Sequence, residues 1–497
     1  MQYMSICNNC QVGAAGSDLP ELGDNPGRMS ESVQWGKVID QTRCIGCHAC
    51  STACKSENAV PLGVNRTYVK YVDVGQFPAA RRAFQVTRCN QCDHPPCVTA
   101  CPTSAMFRRP DGIVDFDKNI CIGCKACIAA CPYDAIFINP DDHSAEKCNF
   151  CAHRIEVGLE PACVVVCPTE AIIVGNLKDP ESRVAKYVNR DVVAVRRPEK
   201  ETYPKLFYKG AHQATLDPLA AKRPDGGIFM WSEQGGGVSS GHPGFANNVA
   251  AAMLSYDVPH RAPWGWPVSL YIWTKAIAAG TYLVASAMAL NTRTTSLISA
   301  VFLAITLLLL VGDLEHPRRF YMILTRPQWK SWLVRGAVIL TAFALVLGID
   351  FLWSPRWLAF IGIPIAGAAG TYTAFLFAQA KARDLWQNPL LPVRHLVMCI
   401  VAGSAVLEIV PLLAIATAIN LMLILAEVLT PHPTAHARLA VREMVRGKYR
   451  VFFVIGVLLQ FAGLCGLPPI AAAILILIGL LASEHAHVGA AQAVPLA

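Results

Sequence analysis

Residues 121–132 read CIGCKACIAACP, and residues 44–55 read CIGCHACSTACK. The two stretches share every cysteine position and set the pattern for two looser ones, Cys89, Cys92, Cys97, Cys101 and Cys148, Cys151, Cys163, Cys167. Sixteen of the 20 cysteines therefore fall into four quartets between Cys44 and Cys167. A tight CxxCxxC loop wraps three corners of a 4Fe-4S cluster, and the fourth thiolate comes from a distant segment, often followed by proline. Pro102, Pro132 and Pro168 directly follow Cys101, Cys131 and Cys167, whereas Lys55 follows Cys54. A disulfide framework belongs to short secreted chains, and zinc prefers two separated CxxC pairs, so neither fits four such quartets. The spacing predicts iron–sulfur clusters, and so many free thiolates point to assembly in a reducing cytoplasm. The offset of 77 residues between the first and third quartets points to an internal duplication.

Cys7 and Cys10 form a CNNC that by itself completes no metal site, and Cys399 and Cys465 lie in apolar runs, where cysteine serves as a small packing residue. Short apolar pieces at 135–139 and 171–174 read as strands between the cysteine motifs.

Outward from the quartets the composition changes. Mean hydropathy over the 497 residues is +0.37, and the apolar residues concentrate after position 267. Segments at 269–290, 296–312, 333–352, 357–380, 393–410, 412–429, 451–467 and 469–483 each have the length and apolarity of a membrane span. Two divisions rest on helix breakers, Pro411 between the fifth and sixth and Gly466–Pro469 between the last two. The start of the chain has neither a basic segment nor an apolar stretch, so no secretory signal is expected. The expected organisation is a tail at 1–33, a four-cluster domain at 34–200, a Gly- and Pro-rich connection at 201–262 and a membrane domain at 263–497. In fold class this is an α+β ferredoxin-like domain of duplicated dicluster repeats, followed by an all-α bundle of eight transmembrane helices.

With eight spans, the cluster domain shares a side with loops carrying Arg318, Arg319, Arg326, Lys330, Lys381, Arg383, Arg394, Arg438, Arg442, Arg446 and Lys448. The opposite loops carry Arg293 and Arg356, so the positive-inside rule predicts an inner-membrane protein with its clusters facing the cytoplasm. The formal charge of +8 then reflects topology and anionic lipid, and nucleic acid is not an expected partner.

On these residues the chain resembles two subunits of the complex iron–sulfur molybdoenzymes joined in one polypeptide. Residues 34–200 look like the four-cluster electron-transfer subunit. Residues 263–497 resemble the polysulfide-reductase-type (NrfD-like) membrane subunit, through Trp264–Pro267, Tyr271, Ala278–Gly280 and the GDLEHPRRF of Gly312–Phe320. The resemblance implies four clusters, held by Cys44, Cys47, Cys50 and Cys167; by Cys148, Cys151, Cys163 and Cys54; by Cys89, Cys92, Cys97 and Cys131; and by Cys121, Cys124, Cys127 and Cys101. It also implies a quinone, menaquinone or ubiquinone, and a large molybdopterin-dependent catalytic partner acting on a sulfur compound or formate.

Ionisable residues inside spans are costly and therefore candidates for function. Tyr271 and Lys275 in the first span, and Asp313, Glu315 and His316 closing the second, are the expected quinone-binding residues. His395, His432 and His436 read as lying at or beyond helix ends, which disfavours a haem. No catalytic nucleophile or nucleotide-binding glycine loop is evident, so substrate chemistry is expected in the partner. Two other readings stay open: the equivalent module of a nickel–iron hydrogenase, and an ion-translocating module using Lys275, Asp350 and Glu408.

Overall fold

The structure, a computed structural model, describes residues 33–76, 78–222, 252–258, 262–290 and 292–496. Cys7 and Cys10, and Gly235–Gly237 of the connection, lie outside the described residues. The cluster domain is built from short strands and short helices held between cysteine loops. Strand β1 (Trp35–Asp40) is buried along its whole length; β2 (Thr67–Val74) and β3 (Arg81–Arg88) form a hairpin with Thr67 opposite Arg88. Two smaller hairpins follow, β4 (Met106–Arg108) with β5 (Val114–Phe116), and β6 (Ile136–Ile138) with β7 (Ala145–Lys147). Strands β8 (Ile172–Asn176), β9 (Val193–Ala194), β10 (Leu206–Lys209) and β11 (Ala252–Tyr256) complete the set. One sheet runs β8-β1-β10-β9 and another β11-β2-β3. The stretch expected as a connection thus supplies β10, parallel to β1, and β11, antiparallel to β2.

The repeated sequence folds into a repeated local structure. Gly46 and His48 in the first loop, and Gly123 and Lys125 in the third, all take positive φ, which curls each CxxCxxC back on itself before a helix begins at Ala49 or Ala126. The cysteines stand in for much of the apolar core. Ala105, Met106, Val114, Ile128, Tyr133 and Ile136 pack among buried thiols of the second and third quartets.

All eight apolar segments fold as helices, numbered α1 (Trp266–Ala287), α2 (Arg293–Gly312), α3 (Trp332–Trp353), α4 (Leu358–Gln379), α5 (Leu391–Val406), α6 (Val410–Leu429), α7 (Arg450–Gly463) and α8 (Pro469–Gln492). Six are long and apolar enough to cross a membrane; α5 and α7, of 16 and 14 residues, are shorter. The breakers act as read: Glu408 has φ +53 just before the Pro411 turn, and Gly466 has φ +76 before α8 starts at Pro469. Helix α8 runs nine residues past the expected end at Ser483, because nothing between Glu484 and Gln492 stops it.

The first helix is the hub. It packs against α2, α4, α5 and α8 and is 83% buried, whereas α2 is 22% buried and turns Leu308 outward. Large apolar side chains such as Leu345, Phe360, Leu458 and Ile470 are likewise exposed on the outer faces, as a lipid-facing surface requires. Trp264, before α1, and Gln492, at the end of α8, exchange two hydrogen bonds of 2.9 Å, so the helical domain begins and ends on one face. The cluster domain docks on that face.

Candidate electron-transfer sites

Among the described residues every cysteine is free, and the quartet thiols gather into four sets. Cys44, Cys47, Cys50 and Cys167 line one cavity with Ile45, His48 and Ile172. Cys54, Cys148, Cys151 and Cys163 line a second with Lys37, Asn58, Arg66 and Arg88. Cys101, Cys121, Cys124 and Cys127 line another with Met106, Ile122 and Ala145. Cys89, Cys92, Cys97 and Cys131 form the remaining set. All four are buried in one cluster with Ala105, Tyr133 and Ala135.

The sets suit a cluster in two further respects. The thiols stand around open volumes, which a multi-atom centre needs. Backbone amides already point at the sulfurs: Met106 N donates to Cys101 Sγ (3.4 Å), Ala145 N to Cys121 Sγ (3.4 Å) and Ala171 N to Cys167 Sγ (3.2 Å). Such donors favour a charged thiolate-bound centre and help set its potential.

The sets stand in a row. Cys50 and Cys163 share one buried cluster, and Cys148, Cys89, Cys97 and Cys127 share another, so each set neighbours the next. At one end Cys47 is exposed and Cys44 and Cys167 are half-buried. The opposite end meets the helical domain. Trp264 Nε1 donates to the Cys124 carbonyl (3.2 Å), Arg319 to the Lys118 and Cys121 carbonyls (2.8 and 3.0 Å), and Ser331 to the Ala100 carbonyl (2.9 Å). The amides of Glu315 and His316 donate to the carbonyls of Gly123 and Ile122. Gly123 must be glycine there, because a Cβ would overlap the Glu315 side chain and its φ is +68.

The expected quinone-binding residues divide into two groups. Asp313, Glu315 and His316 face the cluster domain. Lys125 Nζ lies 3.4 Å from Asp313 and 3.1 Å from Glu315, His143 pairs with Glu315 at 3.5 Å, and His316 Nε2 contacts the Asp142 carbonyl at 2.8 Å. Tyr271 and Lys275 are buried in the bundle. Lys275 Nζ donates to Thr373 and lies 4.3 Å from the centre of the Tyr372 ring. It is within electrostatic reach of Cys399, Glu484 and His395.

Of these, Cys399 was read from the sequence as a packing residue and His395 as a helix-end residue, and Glu484 was not singled out. Arg394 reaches Glu427 (3.1 Å) and Glu484 (2.8 Å), His487 lies 3.2 Å from Glu427, and His395 lies 3.7 Å from Glu484, all buried. Neither ring nitrogen of His395 has a hydrogen-bond partner among the described residues. His395 sits in the second turn of α5, inside the bundle rather than at or beyond a helix end. The signal that would have found the others was the missing stop after Ser483, which carries Glu484 and His487 inward. Asp350 lies near the other end of the bundle, accepting from Ser296 (2.5 Å), and Glu408 sits in the α5–α6 turn. No contact joins either of them to Lys275 among the described residues.

An aromatic stack links the two regions. Trp264, whose indole touches Cys124, stacks on Trp386 (5.6 Å), Trp386 on Phe377 (4.3 Å), and Phe377 meets His395 edge-on (6.4 Å).

With a row of buried thiol sets docked on an apolar helical bundle, the class is a membrane-bound iron–sulfur electron-transfer protein. Residues 81–177 match the 4Fe-4S dicluster domain, and residues 255–354 and 349–476 match the polysulphide reductase NrfD family. The chain is 44% identical to a tetrathionate reductase subunit of Salmonella typhimurium over 238 residues, covering 45% of this chain and 92% of the relative. It is 43% identical to the protein NrfC of Escherichia coli (35% of this chain, 80% of the relative) and 41% identical to a polysulfide reductase component of Wolinella succinogenes (35% and 93%). The chain belongs to the family of these proteins, here fused to an NrfD membrane domain, and is a multi-pass membrane protein.

Proposed function

We propose that this chain is the electron-transfer and membrane-anchor subunit of a respiratory oxidoreductase. It conducts between a molybdopterin-dependent catalytic partner, acting on a sulfur compound such as tetrathionate or polysulfide, and a quinone in the cytoplasmic membrane. The observation that carries this reading is the row of thiol sets, exposed to an approaching partner at Cys44, Cys47 and Cys167 and docked on the bundle at Cys101, Cys121, Cys124 and Cys127. Each set would hold one 4Fe-4S cluster, which when bound passes one electron at a time.

The quinone reading rests on Tyr271, Lys275 and His395, with the stack of Trp264, Trp386 and Phe377 between them and Cys124. Lys275 and His395 offer hydrogen bonds to a quinone oxygen, and the Glu484–Arg394–Glu427–His487 network offers a proton store beside them. Asp313, Glu315 and His316 serve docking in this reading. An even number of crossings, with α5 and α7 as short spans, is supported by the meeting of Trp264 and Gln492. The basic loops on that face support a cytoplasmic cluster domain.

The test is anaerobic reduction of the purified protein by a short-chain quinol. It should contain about sixteen irons, four per cluster, and bleach on adding quinol. Lys275→Met should keep its iron and lose quinol bleaching at least tenfold in rate, with dithionite bleaching unchanged. Equal quinol rates in the two proteins would move the quinone site elsewhere.

A further inference from the structure

Two cations lie buried beside the Cys163 thiol without a carboxylate among the described residues. Arg88, at the end of β3, is 1% exposed; its Nη1 donates to Cys163 Sγ at 3.0 Å, while Nε and Nη2 have no partner. Lys37, in the middle of β1, is 2% exposed, with Nζ 3.9 Å from Cys163 Sγ and 3.9 Å from the centre of the Phe150 ring. By contrast Arg66 is neutralised by Glu146 (2.5 Å) and Lys205 by Asp93 (2.7 Å), while buried Lys147 gives its Nζ to the carbonyls of Val114 and Cys148 and Arg196 donates to the Leu496 carbonyl (2.9 Å). An unpaired buried charge costs several kcal/mol by the usual order of magnitude, so Arg88 and Lys37 need an anion. The only candidate beside them among the described residues is the Cys54, Cys148, Cys151 and Cys163 set. Cys163 shares a buried cluster with Cys50 of the exposed set, so Arg88 lies close to both sets.

We propose that Arg88, assisted by Lys37, is a positioning residue for electrons. It raises the reduction potential of the centre held by Cys54, Cys148, Cys151 and Cys163, and more weakly that of the exposed centre held with Cys50. Reducing a thiolate-held cluster adds one negative charge, and a fixed cation at hydrogen-bond distance from a ligand sulfur stabilises the more negative form. The exposed set has solvent to screen it, and the membrane-end set has Lys125, itself paired to Asp313 and Glu315. Lys147, near the Cys89 set, is turned to the carbonyls of Val114 and Cys148, so the second centre is the one with two cations directed at a ligand sulfur, making it a place where an electron entering from the surface is held before moving inward. This inference rests on the four-cluster reading above.

The experiment is a mediated redox titration of the full-length protein, followed by electron paramagnetic resonance. The signal of the second centre is identified as the one lost or altered in Cys151→Ser. In Arg88→Met that signal's midpoint should fall so that its reduced-to-oxidised ratio at fixed potential drops at least tenfold, about 59 mV for one electron. Arg88→Lys should restore most of the shift, and Lys37→Met should give a smaller shift of the same sign on the same signal. An unmoved midpoint in Arg88→Met with iron retained overturns the proposal. If Arg88→Met does not load iron, Lys37→Met decides, and an unmoved midpoint there overturns it equally. A wild-type protein with markedly fewer irons, or no signal sensitive to Cys151→Ser, would instead remove the cluster assignment.

Discussion

At the scale of single residues, this protein places charge where burial is most costly and makes each charge answer to a neighbour. Glu146, on β7, is fully buried, with Arg66 at 2.5 Å and Lys118 and Asn139 at 2.8 Å. Burial alone would raise its pKa; Lys118, Arg66 and Asn139 outweigh that and hold it below the ordinary 4.5. A depressed carboxylate pKa contributes stability that is complete above the unfolded value and is lost as pH falls through the folded one. Acid should therefore loosen the cluster domain below about pH 4.5 through this residue. Glu146→Gln should destabilise the domain at neutral pH by about 3 kcal/mol, since Arg66 is left charged and buried. Thermal unfolding at pH 7 and pH 4 checks both, with the gap between variant and wild type narrowing at the lower pH. Arg66 also reaches Asn58 (2.7 Å), whose amide lies 3.7 Å from Cys54 Sγ, so the loss should extend to iron retention at that set. The same logic brings Cys163 below its ordinary value: burial pushes the thiol up, and Arg88 and Lys37 more than reverse it.

At the scale of elements, the crossing of α1 and α5 decides what the bundle interior contains. A Cβ on Gly280 would overlap the Cys399 carbonyl, and one on Gly403 would overlap the Gly280 carbonyl, so the two backbones touch only because both residues are glycine. Close approach of this kind is how membrane helices gain packing energy without a hydrophobic driving force between them. It also sets Lys275 on α1 against Cys399 and His395 on α5. Gly280→Ala should cost about 1–3 kcal/mol through forced backbone separation, read as a lower melting temperature in detergent. Gly367→Ala, on α4 with no atom near its would-be Cβ, serves as the control and should leave melting unchanged. The sequence marked Ala278–Gly280 as a family feature, but its partner on another helix was not visible there. The ends of α5 and α6 were legible at Pro411, since proline removes a helix donor wherever it falls. The end of α8 was not, since small and polar residues after Ser483 read as a tail until the bundle surrounds them.

For the whole molecule, one face of the bundle carries everything that joins it to the cluster domain. Trp264, Asp313–Arg319, Gln328, Ser331 and Asp384 all meet the cluster domain there, Asp384 through Lys200 and through Arg197 at 3.8 Å. Arg319, read from sequence as a topology marker, also ties two carbonyls of the third cysteine loop. If this face is cytoplasmic, the α7–α8 turn with exposed Cys465 faces outward. Native Cys465 should then react with a membrane-impermeant maleimide in intact cells. Lys381→Cys in a Cys465→Ser background should react only after permeabilisation. The reverse pattern would put the clusters outside and invert the proposed topology.

The sequence by itself determined that the chain carries iron–sulfur ligands and a membrane domain, because both signals are local: cysteine spacing within a loop, and apolar run length within a helix. Contacts between distant segments were decided only by tertiary structure. The thiol of Cys54 meets a loop almost a hundred residues on, Arg88 meets Cys163, and α8 brings Glu484 to Arg394. Tertiary structure also separated residues that sequence had grouped, sending Asp313, Glu315 and His316 to the docking face and Lys275 to the interior. A helix-end position says how deep a residue lies but not which way it faces, and the direction was fixed by what packed against it.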